Sequence, residues 1–320
     1  MNKMTSHISK MISTLLVCAL MFSTCLKENF SDCPENIRVY FNFDSSSDED
    51  QSKNIDRMNL YVFSNNGLFL YEYRDDSVNF SSDYYIDCSD LYPGKFRFIA
   101  WAGKDEKNYT THPETFVRNK TTFQEVFLKL NQTNDYVTEV IPPLFYSALP
   151  ATVTKSKEQY FEMSLELMTN RINIHTIGLP SDNYEYLFEI DDNVYSYLFD
   201  GSTGSSEIKD FNTGEIRYVS LCNKDEMNQI NSTINILRLS MKRYPPQMQI
   251  YNKTTGRSLY PNNGQTNSLV DLIRKANPNV DFENTYTYDI VLYFGENPDE
   301  EPVIIINGWE VREQEDDLVN

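Results

Sequence analysis

Histidine, tryptophan and glycine are scarce in this chain, with three, two and 11 residues in 320. So little histidine leaves little material for zinc or general-base chemistry. His112 sits in a Thr-Thr-His-Pro loop, and His175 alternates in phase with Arg171 and Asn173 on the polar face of a strand. Neither falls in an H-x-x-x-H or C-x-x-C arrangement, so no metal site is expected. The few glycines form no phosphate-cradling loop, no dinucleotide fingerprint and no G-x-S-x-G elbow, and no cofactor or catalytic residue is expected. Basic residues are also short: 28 Lys and Arg face 47 Asp and Glu, a net charge of −19. A chain of that sign is a poor partner for nucleic acid, whose phosphates demand the opposite charge. It is equally repelled by anionic headgroups. Long apolar runs are missing beyond the N-terminus, so no later segment reaches the 18 or so residues that a spanning helix needs.

Acidic residues are plentiful, which makes any one carboxylate pair weak evidence for glycosidase chemistry. The Asp44–Asp50 and Asp299-Glu300-Glu301 clusters lack the central Gly and terminal Glu of an EF-hand and read as solvated loops.

What is present begins at the N-terminus. Lys3 and Lys10 precede an apolar run, Met11 to Phe22, that ends in Ser23-Thr24-Cys25. Charge, length and small-residue ending make this a secretory leader, too short to cross a bilayer as a helix. The ending resembles a bacterial lipobox, with Phe22 and Thr24 where such motifs favour Leu and a small residue. The resemblance implies cleavage before Cys25 and acylation of its thiol; ordinary cleavage leaving Cys25 as a spare thiol is the other reading. Residues 1–24 are then the signal peptide and 25–36 a lipidated tether.

Period-two alternation dominates the rest. Ile37, Val39, Phe41 and Phe43 share a face; Met58, Leu60 and Val62 repeat the pattern before an Asn65-Asn66-Gly67 turn. Phe161, Met163, Leu165 and Leu167 alternate with polar residues, and further strands are expected at Ile234–Leu239, Met248–Tyr251, Tyr286–Phe294 and Val303–Val311. Trp101 and Trp309 fall within strand patterns, where core burial is the default. Only Ser268–Ala276 reads as a helix, stopped by Asn277-Pro278. A mature chain of roughly 295 residues with many short strands implies an all-β protein of two sandwiches. The polar break Lys155-Ser156-Lys157 places their boundary, giving domains 37–157 and 158–320.

Once the leader has gone and Cys25 is acylated, Cys33, Cys88 and Cys222 remain. An exported protein meets an oxidising compartment, so one disulfide and one free thiol are expected. Cys33 and Cys88 share the N-terminal half and form the expected pair, a choice their spacing alone does not fix.

Several phrases together resemble the fimbrillin-associated anchor family of Bacteroidales-type (type V) pili. They are Ser31-Asp32-Cys33-Pro34; Met58-Asn59-Leu60-Tyr61-Val62-Phe63; Leu91-Tyr92-Pro93-Gly94-Lys95-Phe96, ending in Ala100-Trp101-Ala102-Gly103; Pro142-Pro143-Leu144-Phe145-Tyr146; and Ile304-Ile305-Ile306-Asn307-Gly308-Trp309. Ser147 stands where the family often has Gly. The resemblance implies two tandem transthyretin-like (Greek-key) sandwiches, outer-membrane lipidation, and a structural role anchoring or terminating a pilus through its pilin (fimbrillin) subunits. Such pilins join by strand exchange, a form of β-augmentation. An anchor keeps its own first strand and offers another; the candidate residues are Val303, Ile304, Ile305, Ile306 and Trp309, with the tail behind them. Three consecutive isoleucines make both faces of that strand apolar, as in a strand covered on each side. The competing reading is a core strand paired only within its own domain. Lys27-Glu28, with Asp32 and Glu35, resembles a signal for surface exposure, or is merely an acidic tether. A surface adhesin or glycan-binding lipoprotein is the alternative function, and a secreted hydrolase a distant third.

Overall fold

The computed structural model describes residues 36–43, 53, 55–80, 83–133, 136–138, 140–179, 185–203, 215–222, 227, 229–241, 244–261, 268–297 and 300–311. The leader, Cys25, Cys33, the Asp44–Asp50 cluster and the tail 312–320 lie outside them.

The first half supplies β1 (Asn36–Phe43), β2 (Met58–Ser64), β3 (Phe69–Asp75), β4 (Tyr85–Asp87), β5 (Gly94–Ala102), β6 (Tyr109–His112), β7 (Phe127–Leu130), β8 (Tyr136–Val137), β9 (Phe145–Val153) and β10 (Glu158–Leu167). Seven of these join in the order β3-β2-β5-β9-β10-β1-β4. Alternation decides which face each residue takes: Ile37, Val39 and Phe41 of β1 are buried, with Arg38, Tyr40 and Asn42 between them. β10 runs parallel to β1 from Glu158 to Leu165, then pairs with β9 at Glu166 and Leu167. It thereby passes from one layer to the other, and β4-β1-β10 closes over β3-β2-β5-β9. Ile37, Val39, Met163 and Leu165 meet Met58, Leu60, Val62 and Phe98 in the core between the layers.

β2 from Met58 to Phe63 and β5 from Phe98 to Ala102 are buried on both faces because both faces are covered. Tyr61, Phe63, Ile99 and Trp101 point away from that first core into a second one. Trp101 is fully buried, as its strand pattern predicts, with its ring 4.8 Å from Tyr146.

The second half supplies β11 (Thr169–Ile177), β12 (Tyr186–Asp192), β13 (Ser196–Leu198), β14 (Ile216–Cys222), β15 (Ile230–Leu237), β16 (Gln247–Asn252), β17 (Ser258–Tyr260), helix α1 (Leu269–Ala276), β18 (Thr287–Tyr293), β19 (Val303–Ile306) and β20 (Trp309–Glu310). Two five-stranded sheets, β15-β11-β18-β19-β20 and β17-β16-β12-β14-β8, bring Ile172, Ile174, Tyr288 and Ile290 into the same core as Phe188, Ile190, Tyr218 and Ile250. The Ser268 hydroxyl caps α1 by accepting from the Asp271 N–H at 3.0 Å, and Leu269, Leu272, Ile273 and Ala276 bury its inner face.

Two expectations need correction. The Lys155-Ser156-Lys157 break is not a domain boundary: it connects β9 to β10, and both belong to the first sheet. The halves also trade strands. β8 pairs in parallel with β14 of the second half, and β13 joins β7 and β6 of the first. Such short exchanges leave no mark on composition. Val303–Val311 is not one strand but a hairpin. Asn307 and Gly308 have φ of 50° and 83°, the pair of positive values that a tight I′-type turn requires. The expected Cys33–Cys88 bond falls outside the described residues with Cys33; Cys88 is buried and has no disulfide partner among the described residues.

Candidate interaction edge and cleft

β19 takes its position from both neighbours. It pairs with β18 from Tyr293↔Val303 to Ile290↔Ile306, and with β20 at Ile305↔Glu310 and Ile306↔Trp309. The Val311 N–H adds a bond to the Ile304 carbonyl at 2.8 Å. Ile304 and Ile306 point into the core at 6% and 2% exposure, whereas Val303 is 50% exposed and Ile305 half-buried. The strand is therefore covered on its inner face only. On its outer face Val303 and Ile305 sit beside Tyr293 and Val291 and form a small apolar patch.

β20 ends the order of its sheet, so its outward backbone edge has no further strand among the described residues. Asn307 fixes the hairpin that carries it. Its side-chain oxygen accepts from the Asp289 N–H at 2.7 Å, and its amide nitrogen donates to the Thr287 carbonyl at 3.3 Å. The turn sets Trp309 beyond the last covered position, and the residue is 61% exposed, contrary to the expected core burial. Trp309 lines a cleft of about 300 Å³ together with Ile273, Asn277, Asn279, Asp281, Tyr288 and Ile306, among others. Sequence pattern alone assigns Trp309 to the core. The signal that could have corrected this is the Asn-Gly pair just before it.

The opposite end of the chain is held differently. β1 lies inside its sheet, flanked by β10 along eight residue pairs and by β4 along three. Its outward face carries an exposed aromatic row: Tyr40 lies 5.5 Å from Tyr85 and 6.1 Å from Tyr160, with the Arg38 guanidinium 4.7 Å from the Tyr85 ring centre.

A larger cleft of about 480 Å³ opens beside β3 and β6, lined by Tyr61, Glu72, Arg74, Lys104, Glu106 and Tyr109, among others. Arg74 and Lys104 are both held by neighbours. Arg74 bridges Asp76 and Glu106 at 2.8 Å each, and Lys104 donates to the Tyr61 hydroxyl at 3.2 Å. Burial pulls the Lys104 ammonium down, and nearby Glu72 opposes that pull. His112 stacks on Phe127 at 4.7 Å, and His175 bonds Asn231 on the outer face of β11. Among the described residues, no three His, Cys, Asp or Glu side chains gather as metal ligands would.

Residues 30–315 match the family of fimbrillin-A associated anchor proteins Mfa1 and Mfa2. The chain is similar to the major fimbrium anchoring subunit FimB of Porphyromonas gingivalis strain ATCC 33277. The two are 22% identical over 312 residues, spanning 88% of this chain and 96% of that protein. Among solved structures, the fimbrial anchor protein Mfa2 of Porphyromonas gingivalis superposes with a TM-score of 0.67 at 21% identity, over 88% of this chain and 99% of that one. A candidate polysaccharide-binding protein of Bacteroides thetaiotaomicron superposes with a TM-score of 0.68 at 19% identity, over 88% and 98% of the two chains. At these identities the structural likeness speaks for the fold alone.

Proposed function

Because the chain belongs to the family of fimbrillin-A associated anchor proteins, we propose that it is a structural outer-membrane lipoprotein, acylated at Cys25, that anchors or terminates a surface pilus by strand contact with pilin subunits. The contrast between the two ends of the chain carries this reading. The first strand is enclosed between β10 and β4, so a subunit tethered at that end keeps its own sheet complete. The last described strand, β20, is two residues long and has no further strand on its outer side among the described residues, and the acidic sequence Glu313–Asn320 follows it. An added strand gains main-chain hydrogen bonds along such an edge, and alternate side chains gain contact with Val303, Ile305 and Trp309. Membrane attachment falls to the lipid, at about 0.8 kcal/mol per buried CH₂, since a body of net charge −19 is repelled by anionic headgroups. Lys27-Glu28 and the acids after it support exposure at the outer face.

The alternative, an adhesin or glycan-binding lipoprotein, is favoured by one observation: the exposed Trp309 that lines a cleft. Deleting the gene and imaging the cells separates the two. An anchor's loss gives pili of altered length that are shed into the medium. Attached pili of normal length on the deletion strain overturn the anchor reading.

A further inference from the structure

We propose that the cleft lined by Trp309 is a binding site for one neutral pyranose ring of a glycan. A single exposed hydrophobic residue is ordinary on a protein surface, so exposure alone carries little. Three features distinguish this one. First, Trp309 lines a concave site rather than a flat one. The cleft of about 300 Å³ stands at the lower end of the roughly 300–1,000 Å³ usual for small-molecule sites, enough for one sugar ring with the rest of the chain in solvent. Second, the backbone that carries Trp309 is pinned. The two hydrogen bonds of the Asn307 side chain to β18, together with the Ile306↔Trp309 pairing, fix the backbone before any ligand arrives, so little freedom is lost on binding.

Third, the walls supply the groups that sugar hydroxyls need. Asp281 accepts from the Asn284 side chain at 2.7 Å and from the Glu283 N–H at 2.9 Å. These bonds hold its carboxyl below the usual carboxylate range, so it faces the cleft as an ionised acceptor with lone pairs to spare. The Asn277 side-chain oxygen accepts from the Asn279 N–H at 3.1 Å, which leaves the Asn277 amide nitrogen as a donor. Ile273, Ala276, Val280 and Ile306 form an apolar floor. An aromatic side chain lining the same cleft as one acceptor and one donor matches a pyranose: apolar on its faces, hydroxylated at its rim. The Asp281 carboxylate and the net charge of −19 select against acidic sugars. The site shares Trp309 with the edge proposed above for the pilus contact.

The test uses the full mature chain and the methyl glycosides of glucose, galactose, mannose and N-acetylglucosamine at millimolar concentration, read by saturation-transfer NMR. At least one glycoside is expected to receive saturation at its ring protons. Trp309→Ala should weaken that binding by about tenfold or more, Asp281→Ala should weaken it too, and Trp309→Tyr should keep it. Tryptophan emission offers a second readout, since Trp309→Phe leaves only Trp101, which is buried. Ligand-dependent emission should then vanish. Matched thermal unfolding of each variant guards against misfolding. No transfer to any of the four glycosides, or transfer that Trp309→Ala leaves unchanged, overturns the proposal.

Discussion

The Tyr146 hydroxyl donates to the Phe199 carbonyl at 3.1 Å, tying β9 of the first sheet to a residue contributed by the second half. Phe199 is fully buried, with its ring 5.0 Å from Tyr61 and 6.2 Å from Trp101. The turn after it depends on Gly201, whose φ is 82°; a Cβ there would lie 2.5 Å from the Tyr146 ring. The halves share one core at this point, so they should unfold together. Phe199→Ala should cost about 3–5 kcal/mol and Tyr146→Phe about 1–2 kcal/mol. Urea unfolding followed by far-UV circular dichroism and by tryptophan emission should give one coincident transition. Two separated transitions would show that the joint does not couple the halves.

The Glu189 carboxylate, 3% exposed, accepts from the Tyr251 hydroxyl at 2.8 Å and pairs with Arg217. Burial, with Asp191 beside it, raises its pKa above the ordinary 4.5, although Tyr251 and Arg217 pull the other way. A carboxyl raised in the folded state holds its proton more tightly there. Its contribution to stability is therefore greatest below 4.5 and is lost as pH rises through the raised value. Compared with Glu189→Gln, the wild type should gain stability as pH falls from 7 toward 4.5. Urea midpoints of both proteins across that range check the sign; parallel curves would refute it.

Burial, reinforced by Asp90 and Asp87, pushes the Cys88 thiol up, so it is a poor nucleophile at neutral pH. Cys222 is only half-buried, its sulfur 3.3 Å from the Ser220 hydroxyl oxygen. A thiol reagent should label Cys222 in the native protein and spare Cys88. In denaturant without reductant both should label. Cys88 labelling only after reduction would mean that it is disulfide-bonded.

Much of this fold is legible in the sequence, and the misses share a cause. Period-two patterns place β1, β2, β10 and β11, and the Ser268 cap with Asn277-Pro278 bounds the helix. β8 and β13, two and three residues long, are too short to show a period, yet they decide how the halves interlock. β9 carries Pro150 at its centre, which masks a strand that pairs with β5 along nine residues. The pattern around Trp309 is misleading for the opposite reason: apolar residues continue across an Asn-Gly turn that reverses the chain. Which side of a turn faces solvent is a property of the assembled sheet, so the cleft was not legible.

Attachment rests on Cys25. Two or three acyl chains bury enough CH₂ groups, at about 0.8 kcal/mol each, to hold the protein at a bilayer that its own charge would avoid. Cys25→Ala should move the protein from membrane to soluble fractions, with loss of lipid label. A variant that stays membrane-bound, with a wild type free of lipid, would count against acylation.

The C-terminal edge can be divided by two variants. Truncation after Arg312 keeps β20 and the Val311–Ile304 hydrogen bond. Stability should therefore change by no more than about 0.5 kcal/mol, as for surface changes that leave the core intact. Ile305→Lys acts on the outer face of β19, where the side chain is half-buried and a lysine stem can lie along the sheet while its charge reaches water. Its cost should be about 1 kcal/mol, but an incoming strand would then meet a charge where it needs an apolar neighbour. If pilins add to the edge, Ile305→Lys should release or lengthen pili while the folded protein persists. If the tail itself is the donated strand, the truncation should do so instead. Both variants folding normally and both supporting attached pili of normal length would leave the C-terminal edge without a role in assembly.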